Sequence, residues 1–101
     1  MNIVYEYVNV SASSRLENLI EEKLSGLQKR YPFLIRADVF LKKDNNDFEK
    51  NCHCGIRLSG PGPRTYASSD EKSFKESIHE TIEDLKDILE KRKSKMKAYH
   101  N

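Results

Sequence analysis

The chain is short of the features that would place it in a specialised class. No stretch of its 101 residues approaches the roughly 20 apolar residues of a membrane span. The start, Met1-Asn2-Ile3-Val4, lacks the basic and apolar regions of a secretory signal. The formal charge is only +2, from 18 Lys and Arg against 16 Asp and Glu. That balance sets up no global field that argues for nucleic acid, so any such case rests on local clusters. A cytoplasmic protein with no membrane partner is expected.

There are only two cysteines, Cys52 and Cys54. On one strand they would share a face about 6.5–7 Å apart, which is poor disulfide geometry. Cys52-His53-Cys54 contains metal-ligand residue types, but His53 would point to the opposite face. His79 and His100 lie far along the chain and complete no ligand set. The two thiols therefore read as small core residues, and no metal is expected. Signs of catalysis are equally sparse. The serines sit at caps and turns, where bonds to backbone account for them. No histidine is spaced to serve a nucleophile. Gly60-Pro61-Gly62-Pro63 is no phosphate loop, because proline lacks the amide donor such a loop needs. A protein that is not an enzyme is expected, with no cofactor and no small-molecule substrate.

What is present is a single domain over 1–101, 37% hydrophobic and 34% charged. Asn2–Asn9, rich in Val, Ile and Tyr, reads as a first strand with two similarly apolar faces. Tyr5 and Tyr7 are adjacent on it, either core residues or base-stacking rings if their face is wet. Ser11 then offers an N-cap, and Leu16, Leu19, Ile20, Leu24 and Leu27 form a helical stripe ending near Arg30. Ile35, Ala37, Val39 and Leu41 alternate with polar residues as a half-buried strand, and Asp44–Asp47 is a polar turn. Cys52, Cys54, Ile56 and Leu58 alternate again before the Gly-Pro break, and Arg64–Ala67 is a short last strand.

Ser68 and Glu71 have the spacing of a capping box for a final helix. Phe74, Ile78, Ile82, Leu85, Leu89 and Met96 lie along one side of it. The order β-α-β-β-β-α, with one apolar stripe per helix, predicts an α+β two-layer sandwich. Both helices pack on one face of a four-stranded sheet, and the other face is wet.

Within that frame, charge is sorted along Asp70–Lys97. Eight acids stand against three bases up to Glu90, and then Lys91, Arg92, Lys93, Lys95 and Lys97 follow without an acid. Cations near a helix C-terminus complement its dipole, at about 0.3–1 kcal/mol each, but only in the last turn. Five bases in seven residues exceed that need, and phosphate is the common partner for such a cluster. Lys23 falls between Leu19 and Leu27 at about 100° per residue. Its stem covers core, or its ammonium is held at the seam between the helices and presented to a ligand.

The chain resembles the ribosome hibernation promoting factor and ribosome-associated inhibitor family over nearly its whole length. The residues that carry the resemblance are Ser11, Arg15 and the run Ile20-Glu21-Glu22-Lys23-Leu24-Ser25-Gly26-Leu27. With them go Ala37-Asp38-Val39-Phe40-Leu41-Lys42, the ungapped Ala67–Ile78 segment, the spacing of Ile82, Leu85 and Leu89, and Lys91-x-Lys93-x-Lys95. Because the sequence stops just after the last helix, the resemblance implies a short form, without the C-terminal domain of the family's long forms.

The resemblance implies a protein that binds ribosomal RNA of the small subunit in the channel for messenger and transfer RNA. It would block translation in stationary phase or stress by occlusion. By position, Lys23, Lys42, Lys91, Lys93 and Lys95 would touch phosphates. Arg92 and Lys97 join them from the charge cluster, and Lys29 and Arg30 from the end of the first helix. Whether a helper protein for ribosome dimerisation is a further partner stays open. Asp84 and Asp87 depart from the family's pattern, in which bases are common there, and His79 stands where an acid is common. Two other functions fit the residues: a protein-interaction module using the acidic face of the last helix, and a domain binding structured RNA away from the ribosome.

Overall fold

The computed structural model describes residues 1–46 and 48–99, with side chains as far as Lys95. Along it run β1 (Asn2–Val8), α1 (Ser14–Arg30), β2 (Arg36–Lys43), β3 (Cys52–Ser59), β4 (Thr65–Glu71) and α2 (Phe74–Tyr99). The expected β-α-β-β-β-α order is present. The sheet order is β1-β2-β3-β4. β1 and β2 are parallel, because the chain crosses over through α1, and the two tight connections that follow make the remaining pairs antiparallel.

Alternation decides what each sheet face carries. Ala37, Val39, Leu41, Cys54, Ile56, Leu58 and Ala67 join Leu16, Ile20, Leu24 and Leu27 of α1 and Ile78, Ile82, Leu85 and Leu89 of α2 in one buried cluster. Both helices therefore cover the same face, and the opposite face is open. Tyr5 and Tyr7 lie on the covered side. The Tyr5 hydroxyl donates to the Glu17 carbonyl and the Tyr7 hydroxyl to the Glu17 carboxylate at 2.6 Å, so neither ring is offered to solvent on the wet face.

The structure moves several boundaries. Ser13, not Ser11, caps α1, accepting the Leu16 amide on Oγ. Its own N–H is held by the Tyr7 hydroxyl, which fixes this serine among the neighbouring candidates. Ile35 lies before β2 and is 61% exposed, outside the alternation assigned to it. Ser68 and Glu71 are not a capping box but strand residues, paired with Gly55 and Cys52. The box is Ser73 and Glu76: Ser73 Oγ accepts the Glu76 amide and donates to its carboxylate. The last helix therefore starts at Phe74, and Asp70 and Glu71 belong to the sheet. Asp47, and the side chains of Met96 and Lys97, lie outside the described residues.

Gly26 sits inside α1, and a Cβ there would meet nothing within 4 Å. Gly26→Ala should therefore stabilise the protein by about 0.5–1 kcal/mol, because glycine loses more backbone entropy than alanine when the unfolded chain becomes helix. A chemical denaturation midpoint that failed to rise would contradict this.

Cys52 and Cys54 are free and buried, as expected of core thiols. Burial pushes the Cys54 thiol up to about 12 from 9.0. The folded protein thus holds this proton to higher pH than the unfolded chain. The associated stability is complete below pH 9.0 and is lost as pH rises toward about 12. Tyr5 titrates above its usual value of 10.0 for the same first reason, burial, which adds to the alkaline loss. Thiol reagents near pH 8 should label Cys54 only at the rate of protein opening; labelling as fast as a free thiol would refute its burial.

Candidate nucleic-acid interface

The two helices run side by side in the same direction, and their far ends are tied together. Leu27 O accepts the Tyr31 amide, which closes α1 and turns the Tyr31 ring inward to 3% exposure. From there the Tyr31 hydroxyl donates to Glu90 Oε2 at 2.7 Å, and Arg30 Nη2 reaches the same oxygen at 2.8 Å. The Tyr31 hydroxyl, followed by the Arg30 and Lys93 charges, holds the Glu90 carboxyl below its usual range. Lys93 Nζ and the Arg30 guanidinium both lie about 6 Å from the centre of the Tyr31 ring, within cation–π range.

Arg30 is level with Glu90, so α2 runs on past the end of α1. Lys91, Lys93 and Lys95 are exposed along this overhang. At about 100° per residue, Lys91 and Lys95 share one side and Lys93 turns toward Tyr31. Arg92 takes the remaining direction. Its Nη1 donates to Thr65 Oγ1 at 2.7 Å and to the Pro63 carbonyl at 3.2 Å, so its guanidinium is occupied in holding α2 to the β3–β4 turn. Lys29 is exposed in the last turn of α1, next in sequence to Arg30. The structure thus gathers Lys29, Arg30, Lys91, Lys93 and Lys95 at one end of the helical layer.

Lys23 is half-buried at the seam, where the stripe arithmetic places it. It lines a groove of about 550 Å³ between the helices. Glu22, Glu83, Asp87 and Glu90 face Lys23, Arg30 and Lys86 there, so the groove charges nearly cancel. Lys86 donates to Glu83 at 3.1 Å, which lowers the Glu83 pKa, and the Lys23 charge adds a smaller push the same way. Asp84 lies outside the groove, near Glu80 and Glu71. There Glu80 is pushed above the usual carboxylate range, chiefly by its hydrogen bond with Glu71. The acids of α2 run from Glu76 in its first turn to Glu90, and the lysine overhang beyond is free of them.

Lys42 is not brought to this end. It stands on the open face of the sheet, in register with His53, whose Nδ1 is 2.8 Å from Asp70. That open face also holds Arg36, Arg57 and Tyr66, which reading by clusters missed because they are far apart in sequence. Their signal was the strand alternation itself: each occupies a position opposite in phase to the buried residues. Among the described residues no group of His, Cys, Asp and Glu is arranged to hold a metal ion.

The sequence profile of a family described as sigma 54 modulation protein / S30EA ribosomal protein matches residues 3–97. No curated protein matches the chain by sequence. Solved structures of similar fold include the following two. One is a ribosomal subunit interface protein from Coxiella burnetii, with a TM-score of 0.82 at 18% identity, over 93% of this chain and 99% of the other. The other is the N-terminal domain of Protein Y from Thermus thermophilus, with a TM-score of 0.76 at 20% identity, over 90% and 98%.

Proposed function

The chain belongs to the sigma 54 modulation protein / S30EA ribosomal protein family of non-enzymatic, ribosome-associated factors, and from this we propose that it inhibits translation by seating on the small ribosomal subunit. The occluded site is the channel for messenger and transfer RNA, and the setting is stationary phase or stress in the cytoplasm. The observation that carries this reading is the acid-free overhang of α2 beyond Glu90 within a family member. Lys91, Lys93 and Lys95 project there past Glu90, the last acid of α2, whose carboxylate is engaged by Tyr31 and Arg30. The subunit-interface protein of similar fold supports the same partner.

The chemistry asked of the protein is neutralisation of phosphate. Lysines make point contacts that tolerate irregular backbone, and each contact releases counterions. Lys23, held at the seam, extends the contact along the helices. Arg30 and Arg92 act mainly as braces that fix where the lysines stand. Occlusion needs only shape and charge.

Sedimentation with purified small subunits over a salt series tests this. With about four phosphate contacts, affinity should fall by roughly two orders of magnitude between 50 and 200 mM salt. Binding insensitive to salt, or absent at low salt, would refute it.

A second reading has one observation in its favour, the exposed acids Glu83, Asp84 and Asp87 in the middle of α2, which suit a basic protein partner. Replacing Asp84 and Asp87 by lysine separates the two. RNA binding predicts unchanged or tighter subunit affinity, because two repulsive charges are removed, and a protein-interaction module predicts loss of binding to its basic protein partner.

A further inference from the structure

The open face of the sheet is organised around one buried carboxylate. Across the four strands, Val4, Asp38, Arg57 and Tyr66 stand in register, and Arg36 precedes Asp38 by two on the same face. Asp38 is only 8% exposed. Arg36 Nη2 donates to its Oδ1 at 2.9 Å, and Arg57 Nη2 stands 3.5 Å from its Oδ2. The bond from Arg36, then the charges of both arginines, keeps the Asp38 carboxyl below its usual range. Two guanidiniums thus share one carboxylate and leave a net positive charge on the surface. Arg57 uses its donors incompletely: its Nε has no hydrogen-bond partner among the described residues. Arg64, just before β4, is exposed and adds a third cation at this end.

Beside them lies an aromatic floor. Tyr66 is 50% exposed. Its hydroxyl comes 2.7 Å, and its ring carbon Cζ 3.4 Å, from where a Cβ on Gly55 would be. The ring therefore lies down along the sheet in the space that glycine leaves empty. Phe40, half-buried, is the register partner of Gly55 on β2. A flat ring seated on a sheet, with guanidiniums at its edge and no helix above it, suits a nucleobase. Bases stack on such rings whatever their sequence, while arginines hold the backbone.

We infer that the open face around Tyr66, Phe40, Arg57 and Arg64 is a second RNA-contact surface, for an unpaired single strand, distinct from the lysine end of the helices. Charge complementarity selects this occupant: the face carries Arg36, Arg57 and, just before β4, Arg64, against Asp38, buried beneath two of them, and Glu6, in register with Phe40 at the β1 edge away from Tyr66. A duplex cannot use the floor, because its bases are stacked on one another.

The test is fluorescence anisotropy of a labelled single-stranded RNA of about eight nucleotides, at about 50 mM salt, with a blunt RNA duplex as competitor. The full chain should bind the strand and prefer it to the duplex. Tyr66→Ala should weaken binding about tenfold, whereas Tyr66→Phe, which keeps the ring, should bind as the parent does. Arg64→Glu should weaken binding and reduce its salt dependence. Exchanging Lys91, Lys93 and Lys95 for glutamate should spare strand binding while removing subunit sedimentation, so each surface can fail by itself. No binding by the parent, preference for duplex, or Tyr66→Ala binding as tightly as the parent would each overturn the inference. So would strand binding lost with the three lysines. Thermal melts of the Tyr66 variants exclude misfolding as the cause, and the phenylalanine variant keeps the comparison decisive.

Discussion

Replacing Lys91, Lys93 and Lys95 together by glutamate is expected to abolish sedimentation with small ribosomal subunits at about 150 mM salt. Affinity should fall roughly a hundredfold or more, and the slope of log affinity against log salt should lessen by about three. The three side chains are exposed, so the fold should survive the change. Their dipole contribution is small as well, because that effect is confined to the last turn and α2 continues to Tyr99. Stability should therefore shift by no more than about 1 kcal/mol. Retained subunit binding by a folded triple variant would leave the lysine overhang without the role assigned to it.

Leu85→Ala should produce the largest loss of stability of any single truncation along α2. Leu85 is fully buried, central to the run Ile78, Ile82, Leu85 and Leu89, in the helix that lies against β3 and β4. Truncation removes buried methyl groups and leaves a cavity that a sheet-backed site cannot collapse to fill. The cost for such a leucine is about 2–5 kcal/mol. Against a total stability of about 5–15 kcal/mol, that lowers the melting temperature by on the order of 10–25 °C. A drop of only a few degrees would mean that α2 is not packed as described.

Much of this architecture was written in hydrophobic spacing. Leu16, Ile20, Leu24 and Leu27 announced α1, and Cys52, Cys54, Ile56 and Leu58 gave the phase of β3 correctly. Local polar signals were less decisive, because they compete. Ser68 with Glu71 and Ser73 with Glu76 have the same spacing, and only pairing to β3 decides that the first pair is strand. With Asp70 and Glu71 in the sheet, the acidic part of the last helix is shorter than the sequence suggested. Likewise Ser11 and Ser13 are alike as caps until the Tyr7 hydroxyl selects Ser13.

The basic end was visible as a run of lysines, but the division of labour within it was not. Arg92 turns inward because the β3–β4 turn lies within its reach, a fact of tertiary packing. The open face was hidden for a related reason. Alternation says that a strand has two faces but not which one the helices cover, and β1 is similarly apolar on both. Tyr5 and Tyr7 fell on the covered side and Tyr66 on the open one.

The lysine end has a bracing arrangement whose effect is entropic. Glu90 ties α2 to Tyr31 and Arg30 on one flank, and Arg92 ties it to Pro63 and Thr65 on the other, immediately before the projecting lysines. Association ordinarily loses free energy to the freezing of loosely held segments. Here the α2 backbone that carries Lys91 and Lys93 is already fixed to two separate elements, so docking has only the lysine side chains left to order. The helix behaves as a cantilever anchored on both sides, and a load on its tip is transmitted to the whole sheet rather than absorbed by a hinge.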